Sequence, residues 1–442
     1  MMKIGFVSLG CPKNQLDTEV MLHELLEAGY EITPEETEAD VIIINTCAFI
    51  ESAKQEAIDN ILDIAWLKKN AHLKGIVVTG CLTERYREEV LKEFPEVDAV
   101  LGVGSVHDIV EAVKTVEKGK KKYKSFKDKD TVVLGGDRVL TTPSYWTYLK
   151  IGEGCDNRCA YCAIPSIRGK YRSRPMEDLV AEAKQLESLG ALEINVIAQD
   201  ITRYGIDLYG EYSLDKLLRA LTEATKRPYF RLLYCYPDKI TDGLIAEIRD
   251  NPRVLHYIDM PLQHISDRML TAMNRHGDSA MIRDRLQKLR KEIPDIVIRT
   301  TFITGFPGET EEDFTELAEF VRDFRFDRMG VFPYSQEEGT PAATFPDQVE
   351  EQLKQDRADI LMDTQNRISE ENNRAMVGKT LRVLVEDFDP VSESHFGRSY
   401  KDAPEIDGKV YFKSPKRVEP GHLVDVEITE VLDYDLVGIL KS

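Results

Sequence analysis

Six of the seven cysteines in this chain form two sets of three, and they are the residues most suggestive of chemistry. The compact set has the spacing C-x3-C-x2-C inside Gly154-Cys155-Asp156-Asn157-Arg158-Cys159-Ala160-Tyr161-Cys162. Thiolates at this spacing can all face one iron–sulfur cube, and three ligands to four irons leave one iron open to bind a substrate. A zinc knuckle or a disulfide pair is the alternative, although zinc sites usually have a fourth Cys or His nearby, which this segment lacks.

The second set is scattered along the first part of the chain. Cys11, Cys47 and Cys81 lie 36 and 34 residues apart, and each directly follows an apolar, strand-like run at 3–9, 40–46 or 75–80. Helical patterns follow at 17–28, 52–70 and 85–94, and such alternation predicts a doubly wound parallel sheet. The carboxyl ends of parallel strands share one crevice, so we expect the three thiols to converge there.

The middle of the chain predicts an incomplete (βα)6 barrel that places the C-x3-C-x2-C segment just after its first strand, where active sites of barrels lie. Strands are expected at 147–151, 193–198, 229–234, 255–260, 297–303 and 329–332, with helices at 176–189, 213–225 and 279–293. A lysine-rich stretch at 118–129 is interpreted as a solvated linker before the barrel, in preference to a contact with RNA. A polar helix at 349–374 is expected to lead away from the barrel.

The last part of the chain predicts a small all-β barrel. Short strands are expected at 381–386, 409–412, 423–431 and 436–441, separated by turn residues. The whole chain is therefore an α/β protein of three domains, at 1–135, 140–374 and 376–442.

Composition limits the partners of the chain. It has 442 residues, and its 58 Lys and Arg against 78 Asp and Glu give a net charge of −20. This balance argues against a general nucleic-acid binder and suits a basic partner. No apolar run approaches the ~18 residues that cross a bilayer, and the apolar start is too short for a signal peptide. We therefore expect a cytoplasmic protein that has no membrane partner.

The C-x3-C-x2-C segment resembles the cluster motif of the radical S-adenosylmethionine (SAM) enzymes. The resemblance implies that Cys155, Cys159 and Cys162 hold a [4Fe–4S] cluster whose open iron is chelated by SAM, and that reduction cleaves SAM to methionine and a 5′-deoxyadenosyl radical. Tyr161 matches the aromatic position that packs against the adenine. The segment Thr304-Gly305-Phe306-Pro307-Gly308-Glu309 matches a turn that lines the SAM pocket, so Gly305, Gly308 and Glu309 become candidate SAM contacts.

The chain as a whole resembles the methylthiotransferases, which join an N-terminal domain, a radical SAM barrel and a C-terminal TRAM domain. The resemblance implies a second [4Fe–4S] cluster on Cys11, Cys47 and Cys81, which supplies sulfur. It also implies that SAM is used twice, once to methylate that sulfur and once to generate the radical that removes hydrogen from the substrate carbon. The deoxyadenosyl radical is required because a saturated C–H bond offers no useful proton to a base.

Two segments resemble the branch that modifies the β-carbon of an aspartate in ribosomal protein S-twelve. They are Ser8-Leu9-Gly10-Cys11-Pro12-Lys13-Asn14-Gln15-Leu16-Asp17 and Ala198-Gln199-Asp200-Ile201-Thr202-Arg203-Tyr204-Gly205. Residues 376–442 carry nine cations against thirteen anions, a net charge of −4 that suits a basic protein substrate better than RNA. We therefore do not expect direct RNA binding to dominate.

Two other functions are compatible with these motifs, and several further residues are weaker candidates for the site. The rivals are a methylthiotransferase that acts on tRNA adenosine and a non-enzymatic iron–sulfur carrier, although a carrier has no need of the barrel. The family resemblance also implies a low-potential electron donor such as flavodoxin or ferredoxin. Cys235 is interpreted as a core thiol, and Gln199, Asp200 and His264 as possible contacts of SAM or substrate. The sequence does not show whether Arg299 points into the barrel.

Overall fold

The computed structural model describes residues 2–120 and 122–441 of the chain. The strands of its first part are β1 (Lys3–Ser8), β2 (Glu31–Ile32), β3 (Val41–Thr46), β4 (Gly75–Gly80), β5 (Ala99–Leu101) and β6 (Tyr123–Ser125). The helices are α1 (Pro12–Glu27), α2 (Glu51–Asn70), α3 (Cys81–Tyr86), α4 (Glu89–Glu93) and α5 (Ile109–Glu117). The strands form one parallel sheet in the order β2-β1-β3-β4-β5-β6. Strand β2 is added on one side of β1, and the later strands are added on the other side, beginning with β3. Ligands in such folds bind at the point between β1 and β3 where this order reverses.

Both faces of this sheet are covered by helices. Every residue of β3 is buried, as expected of a central parallel strand with a continuous apolar run. Ile42 and Ile44 face a core that contains Ile61 of α2, whereas Ile43 faces a core that contains Met21 of α1. The doubly wound domain that the sequence predicts is confirmed.

Three local predictions in this domain were wrong. Helix α1 begins at Pro12 rather than at residue 17. A proline fits the first turn of a helix. Lys13 and Asn14 in that turn are polar although they are buried, so the turn has no apolar pattern that would predict it. The helix expected at 85–94 is broken into α3 and α4 at Arg87, whose φ is +48°. The lysine-rich stretch is not simply a linker, since it contributes β6, and Lys124 and Lys127 form ion pairs with Glu88 and Asp108.

The middle of the chain forms a second parallel sheet. Its elements are β7 (Trp146–Lys150), β8 (Gly152–Glu153), β9 (Arg172–Ser173), β10 (Glu193–Ile197), β11 (Tyr229–Leu232), β12 (Val254–Asp259), β13 (Val297–Thr304) and β14 (Arg328–Pro333). The helices are α6 (Ile164–Arg168), α7 (Met176–Ser188), α8 (Ile206–Tyr209), α9 (Leu214–Ala224), α10 (Asp242–Asp250), α11 (Asp267–Ala272), α12 (Ser279–Glu292) and α13 (Glu311–Phe324). The order β14-β13-β12-β11-β10-β7 is that of six successive βα units, and β8 pairs with β9 separately. All six predicted strands are present, within two residues of their expected ends.

The longest helix, α14 (Glu351–Arg374), packs on this sheet instead of leading away from it. Leu361 is fully buried in the core of the barrel, and Gln365 donates a hydrogen bond to the carbonyl of Phe326 at 3.0 Å. The prediction was wrong because the narrow apolar side of a mostly polar helix is enough to cover the edge of the sheet. Within the described residues, no helix combines the length and the apolar character needed to cross a membrane.

The C-terminal strands form a closed barrel that docks on the second sheet. They are β15 (Thr380–Asp389), β16 (Ser394–Arg398), β17 (Val410–Lys413), β18 (Leu423–Leu432) and β19 (Asp435–Leu440), and only β16 was not predicted. The loop after β16 lies against the barrel strands: Asp402 pairs with Arg328 at 2.6 Å, and Asp407 accepts a hydrogen bond from Tyr257 at 2.6 Å. These buried contacts fix the small barrel to the larger one.

Candidate functional site

The scattered cysteines lie at the carboxyl ends of three neighbouring strands. Cys11 follows β1, Cys47 follows β3, and Cys81 follows β4 as the first residue of α3. Gly10 has a φ of +89°, and a Cβ built on it would lie 2.7 Å from the Cβ of Cys47 and 3.0 Å from its Sγ. Glycine is therefore needed here to let the end of β1 approach Cys47.

Charge interactions also join these three thiols, called the first triad below. Burial, together with the charges of Cys11 and Cys47, raises the pKa of Cys81 to about 12 despite the opposing effect of Arg168. Burial likewise raises the pKa of Cys47, with Cys11 adding to the shift. Cys47 and Cys81 therefore lie close enough to Cys11 for its charge to act on their thiols.

The compact cysteines, the second triad, lie in the loop between β8 and α6. Cys155 and Cys159 are buried, and Cys162 is partly exposed. Burial, together with the charges of Asp200 and Cys159, raises the pKa of Cys155 to about 11 despite the opposing charge of Lys239. Gly154 has a φ of +81°, and a Cβ on it would lie 2.1 Å from the carbonyl oxygen of Lys170, so this loop also depends on a glycine.

The chemistry of the donors in both triads suits an iron–sulfur cluster. All seven cysteines are free thiols. Among the described residues, no three His, Cys, Asp or Glu side chains are grouped closely enough to hold a single metal ion. Soft thiolates in threes suit a four-iron cube that leaves one iron open.

The two triads are brought together where α6 enters the first domain. Cys81 and Ala163, the residue that follows Cys162, belong to one apolar cluster, and Ile167 of α6 lies in it as well. On the other side, the short segment after β11 contacts the second triad and lies near the first. The hydroxyl of Tyr236 lies 3.8 Å from the Sγ of Cys159, and burial and the neighbouring Cys11 raise the pKa of Tyr234.

Each triad has its own arginine, which donates a hydrogen bond to one of its thiols. Neither arginine was predicted from the sequence. Arg168 donates to the Sγ of Cys81 at 3.6 Å, and Arg275 donates to the Sγ of Cys159 at 3.7 Å. Arg275 also lies over the ring of Tyr236, 4.3 Å from its centroid. No motif could have revealed these partners, because each contact joins segments that are 87 or 116 residues apart.

A buried network of four charges locks the first domain onto the barrel. Lys150 pairs with Asp17 at 2.7 Å and with Glu153 at 2.9 Å, and Arg168 pairs with the same two carboxylates at 2.5 and 3.4 Å. Burial would raise the pKa of Glu153, but Lys150 and Arg168 lower it to about 2. The network is electrically balanced, which a buried set of charges requires.

The candidate SAM-binding residues lie in different surroundings. Tyr161 packs against an apolar cluster that contains Phe306 and Tyr334, beside the second triad. In contrast, Gly305 has a φ of +68°, and a Cβ on it would lie 2.1 Å from Cγ of Lys354, so it permits the packing of α14. A Cβ on Gly308 would meet nothing nearer than 3.8 Å.

The carboxylate of Glu309 is already engaged within the protein. It accepts hydrogen bonds from the backbone of Gly305 at 3.0 Å and from Arg357 at 2.7 Å, and it lies 3.5 Å from Nε2 of His264. These contacts close the turn and favour a supporting function. By comparison, the buried hydroxyl of Tyr334 and Oε1 of Gln263 have no hydrogen-bond partner among the described residues, and both fit a polar group of a ligand.

The weaker candidates take largely structural positions. Cys235 is fully buried in the barrel core, as interpreted from the sequence. Gln199 donates to Glu153, and Asp200 accepts from Asn157 at 2.8 Å. Arg299 pairs with Asp259 at 2.9 Å and lies 3.6 Å from Asp407 of the C-terminal barrel loop.

Comparison with family models divides the chain as its fold does. Residues 3–102 match the model described as uncharacterized protein family UPF0004, residues 149–321 match the radical SAM superfamily, and residues 377–440 match the TRAM domain. Among solved structures, the radical SAM methyltransferase TsrM from Kitasatospora setae is 14% identical with a TM-score of 0.57, covering 75% of this chain and 73% of that one. This similarity supports the fold alone.

Relatives of known name match along the whole chain. The ribosomal protein uS12 methylthiotransferase RimO of Desulforamulus reducens is 50% identical and covers 100% of both chains. The protein of the same name from Clostridium tetani is 49% identical and covers 99% of this chain and 98% of its own. The chain therefore belongs to the RimO family of radical SAM methylthiotransferases.

Proposed function

We propose that this enzyme attaches a methylthio group to the β-carbon of an aspartate in ribosomal protein uS12, the S-twelve protein named above. The assignment of substrate rests on the relatives that carry this name over their full length. The observation that supports the chemistry is the joint position of the two triads. Cys81 and the residue after Cys162 share one apolar core, so iron–sulfur clusters held by the two triads would lie on neighbouring parts of the fold.

We assign the second triad to the cluster that binds SAM and the first triad to an auxiliary [4Fe–4S] cluster. When bound, the clusters and SAM would supply a carbon-centred radical and a methylated sulfur. The protein's own contribution is to hold these groups in fixed positions and to exclude water. Gly10 and Gly154 allow the cysteine loops to close, the four-charge network fixes one domain against the other, and Tyr161 offers a ring face for an adenine.

The C-terminal domain suits a basic protein partner. Two of its cations, Arg398 and Lys401, are turned inward, but so are two of its anions, Asp402 and Asp407. The residues that remain on the surface therefore keep the domain's excess of negative charge. We propose that it attracts uS12 electrostatically, that the enzyme works in the cytoplasm where ribosomes assemble, and that a flavodoxin or ferredoxin supplies electrons. The three domains are assigned to 1–135, 140–374 and 376–442.

A substrate competition tests this proposal. The protein is reconstituted anaerobically with iron and sulfide, then offered small ribosomal subunits and tRNA together with SAM and a reductant. Mass spectrometry of both pools should find one methylthio group in place of one hydrogen on an aspartate of uS12. A methylthio group on tRNA nucleosides alone would contradict the assigned substrate, and absence of 5′-deoxyadenosine from protein that holds both clusters would contradict the assigned chemistry.

A further inference from the structure

Lys13 is a buried cation without an anionic partner. It lies two residues after Cys11, in the first turn of α1, and only 6% of it is exposed. Its Nζ lies 3.1 Å from the centroid of the Tyr234 ring. Among the described residues, none offers Lys13 Nζ a carboxylate within 4.0 Å.

The nearest carboxylates are committed to other cations. Glu153 belongs to the balanced network with Lys150 and Arg168. Asp259 pairs with Arg299 at 2.9 Å and also accepts from the backbone of Tyr234 at 3.0 Å. Removing an ammonium from water is costly, and contact with an aromatic ring offsets only part of that cost. The charge of Lys13 is therefore left without a paired carboxylate among the described residues.

Lys13 also lies near segments that carry both triads. Its ring partner, Tyr234, is two residues from Tyr236, which contacts Cys159 of the second triad, while Cys11 of the first triad lies on Lys13's own helix turn. Tyr234 has a φ of +68°, an unfavourable conformation for a tyrosine. Strained residues of this kind are concentrated at functional sites, because the surrounding structure must hold them there.

We propose that Lys13 binds the side-chain carboxylate of the substrate aspartate and makes the enzyme selective for aspartate. The inference rests on the proposed function and deepens it. In aspartate, the carboxylate is bonded directly to the β-carbon, so an ion pair with Lys13 would fix that carbon between the two triads. A neutral asparagine would leave the ammonium buried without a counter-charge, and the penalty for this would reject it.

Two other anions are alternative partners of Lys13, namely the carboxylate of SAM and the negative charge of the auxiliary cluster. Each predicts a different property of a Lys13→Met variant. Loss of the substrate contact would remove the preference for aspartate, loss of a SAM contact would weaken SAM binding, and loss of a cluster contact would change the reduction potential of the auxiliary cluster.

The test measures binding of purified uS12 to the reconstituted enzyme, with the target residue as aspartate or changed to asparagine. We expect the wild type to prefer aspartate by about ten- to a hundredfold, Lys13→Met to bind both forms equally, and Lys13→Arg to keep part of the preference. Iron content and SAM affinity should not change. Lys409→Met, which removes an exposed lysine 4.4 Å from the ring of Phe396, is the matched control and should behave as wild type.

Three results would overturn the inference. They are equal binding of both uS12 forms by the wild type, an undiminished preference in Lys13→Met, and weakened SAM binding or a shifted cluster potential in Lys13→Met with the preference intact. A wild type that neither binds nor marks either form of uS12 would reject the proposed function, and with it this inference. That result differs from the first three, in which uS12 is still bound or modified.

Discussion

Arg168 follows Cys162 by six residues, yet its guanidinium donates a hydrogen bond to the thiol of Cys81 in the first domain at 3.6 Å. The helix that ends at Arg168 thus starts beside one triad and reaches the other. The same guanidinium pairs with Asp17 at 2.5 Å, so a single side chain ties the auxiliary site to the domain interface. This contact relates the positions of the two triads to the way in which the domains dock.

Replacing Arg168 by Met should affect both the cluster and the fold. Hydrogen bonds to cluster sulfur raise the reduction potential, so the potential of the auxiliary cluster should fall by tens of millivolts. Asp17 and Glu153 would then share only Lys150, and an unbalanced buried network costs about 3–5 kcal/mol. Redox titration followed by electron paramagnetic resonance and denaturant unfolding measure the two effects. Arg168→Lys, which keeps the charge, should lose less stability; unchanged potential and stability in Arg168→Met would refute the prediction.

Cys235 should be dispensable for cluster binding. It is fully buried among the core side chains of the barrel. Cys235→Ala should keep about eight iron atoms per chain, four for each cluster, and lose about 1 kcal/mol of stability. Cys159→Ala is the matched substitution and should retain about half of the iron. Iron analysis after anaerobic reconstitution decides the matter, and loss of iron from Cys235→Ala would show that its thiol is a ligand.

Tyr161 should contribute its ring to SAM binding. It packs beside Phe306 and Tyr334 next to the second triad, where an adenine can stack on it. Tyr161→Leu should weaken SAM binding by up to about tenfold, the value of one aromatic contact, whereas Tyr161→Phe should bind nearly as well as wild type. Titration calorimetry with the reconstituted protein measures the affinities. Equal SAM affinity in Tyr161→Leu and wild type would place the adenine elsewhere.

The sequence was most informative where long apolar runs decide the structure. All six barrel strands and the convergence of Cys11, Cys47 and Cys81 at strand ends follow from such runs and from the geometry of parallel sheets. The one C-terminal strand that was not predicted, β16 (Ser394–Arg398), has no alternation of apolar and polar residues. It is held by hydrogen bonds to its neighbours in the barrel. Lys13 and Arg168 were not predicted as functional residues, because their contacts form between two domains that are far apart in the sequence.

The stability of α13, which follows the Gly308-Glu309 turn, should depend on pH through Asp313. Burial would raise the pKa of Asp313, but hydrogen bonds from Ser266 and Thr310 and the pairing with Arg268 lower it to about 2. Its folded pKa lies below the unfolded value of about 3.9, so the stabilisation is present at neutral pH and is lost as pH falls from about 4 to 2.

Asp313→Asn should therefore be less stable than wild type by about 2 kcal/mol at pH 7. The difference between the two proteins should shrink as pH falls below 4. Denaturant unfolding at a series of pH values measures it. Glu319→Gln, which changes an exposed carboxylate further along the same helix, is the control; a difference that stays constant down to pH 2 would show that ionisation of Asp313 contributes nothing.

The most direct test of the account compares two triple variants of the reconstituted enzyme. Cys11, Cys47 and Cys81 are changed to Ala in one, and Cys155, Cys159 and Cys162 in the other. The first variant should hold about four iron atoms and still convert SAM to 5′-deoxyadenosine on reduction, yet leave uS12 without a methylthio group; the second should hold as much iron but cleave no SAM. Methylthiolated uS12 from the first variant, or SAM cleavage by the second, would contradict the division of labour between the two triads.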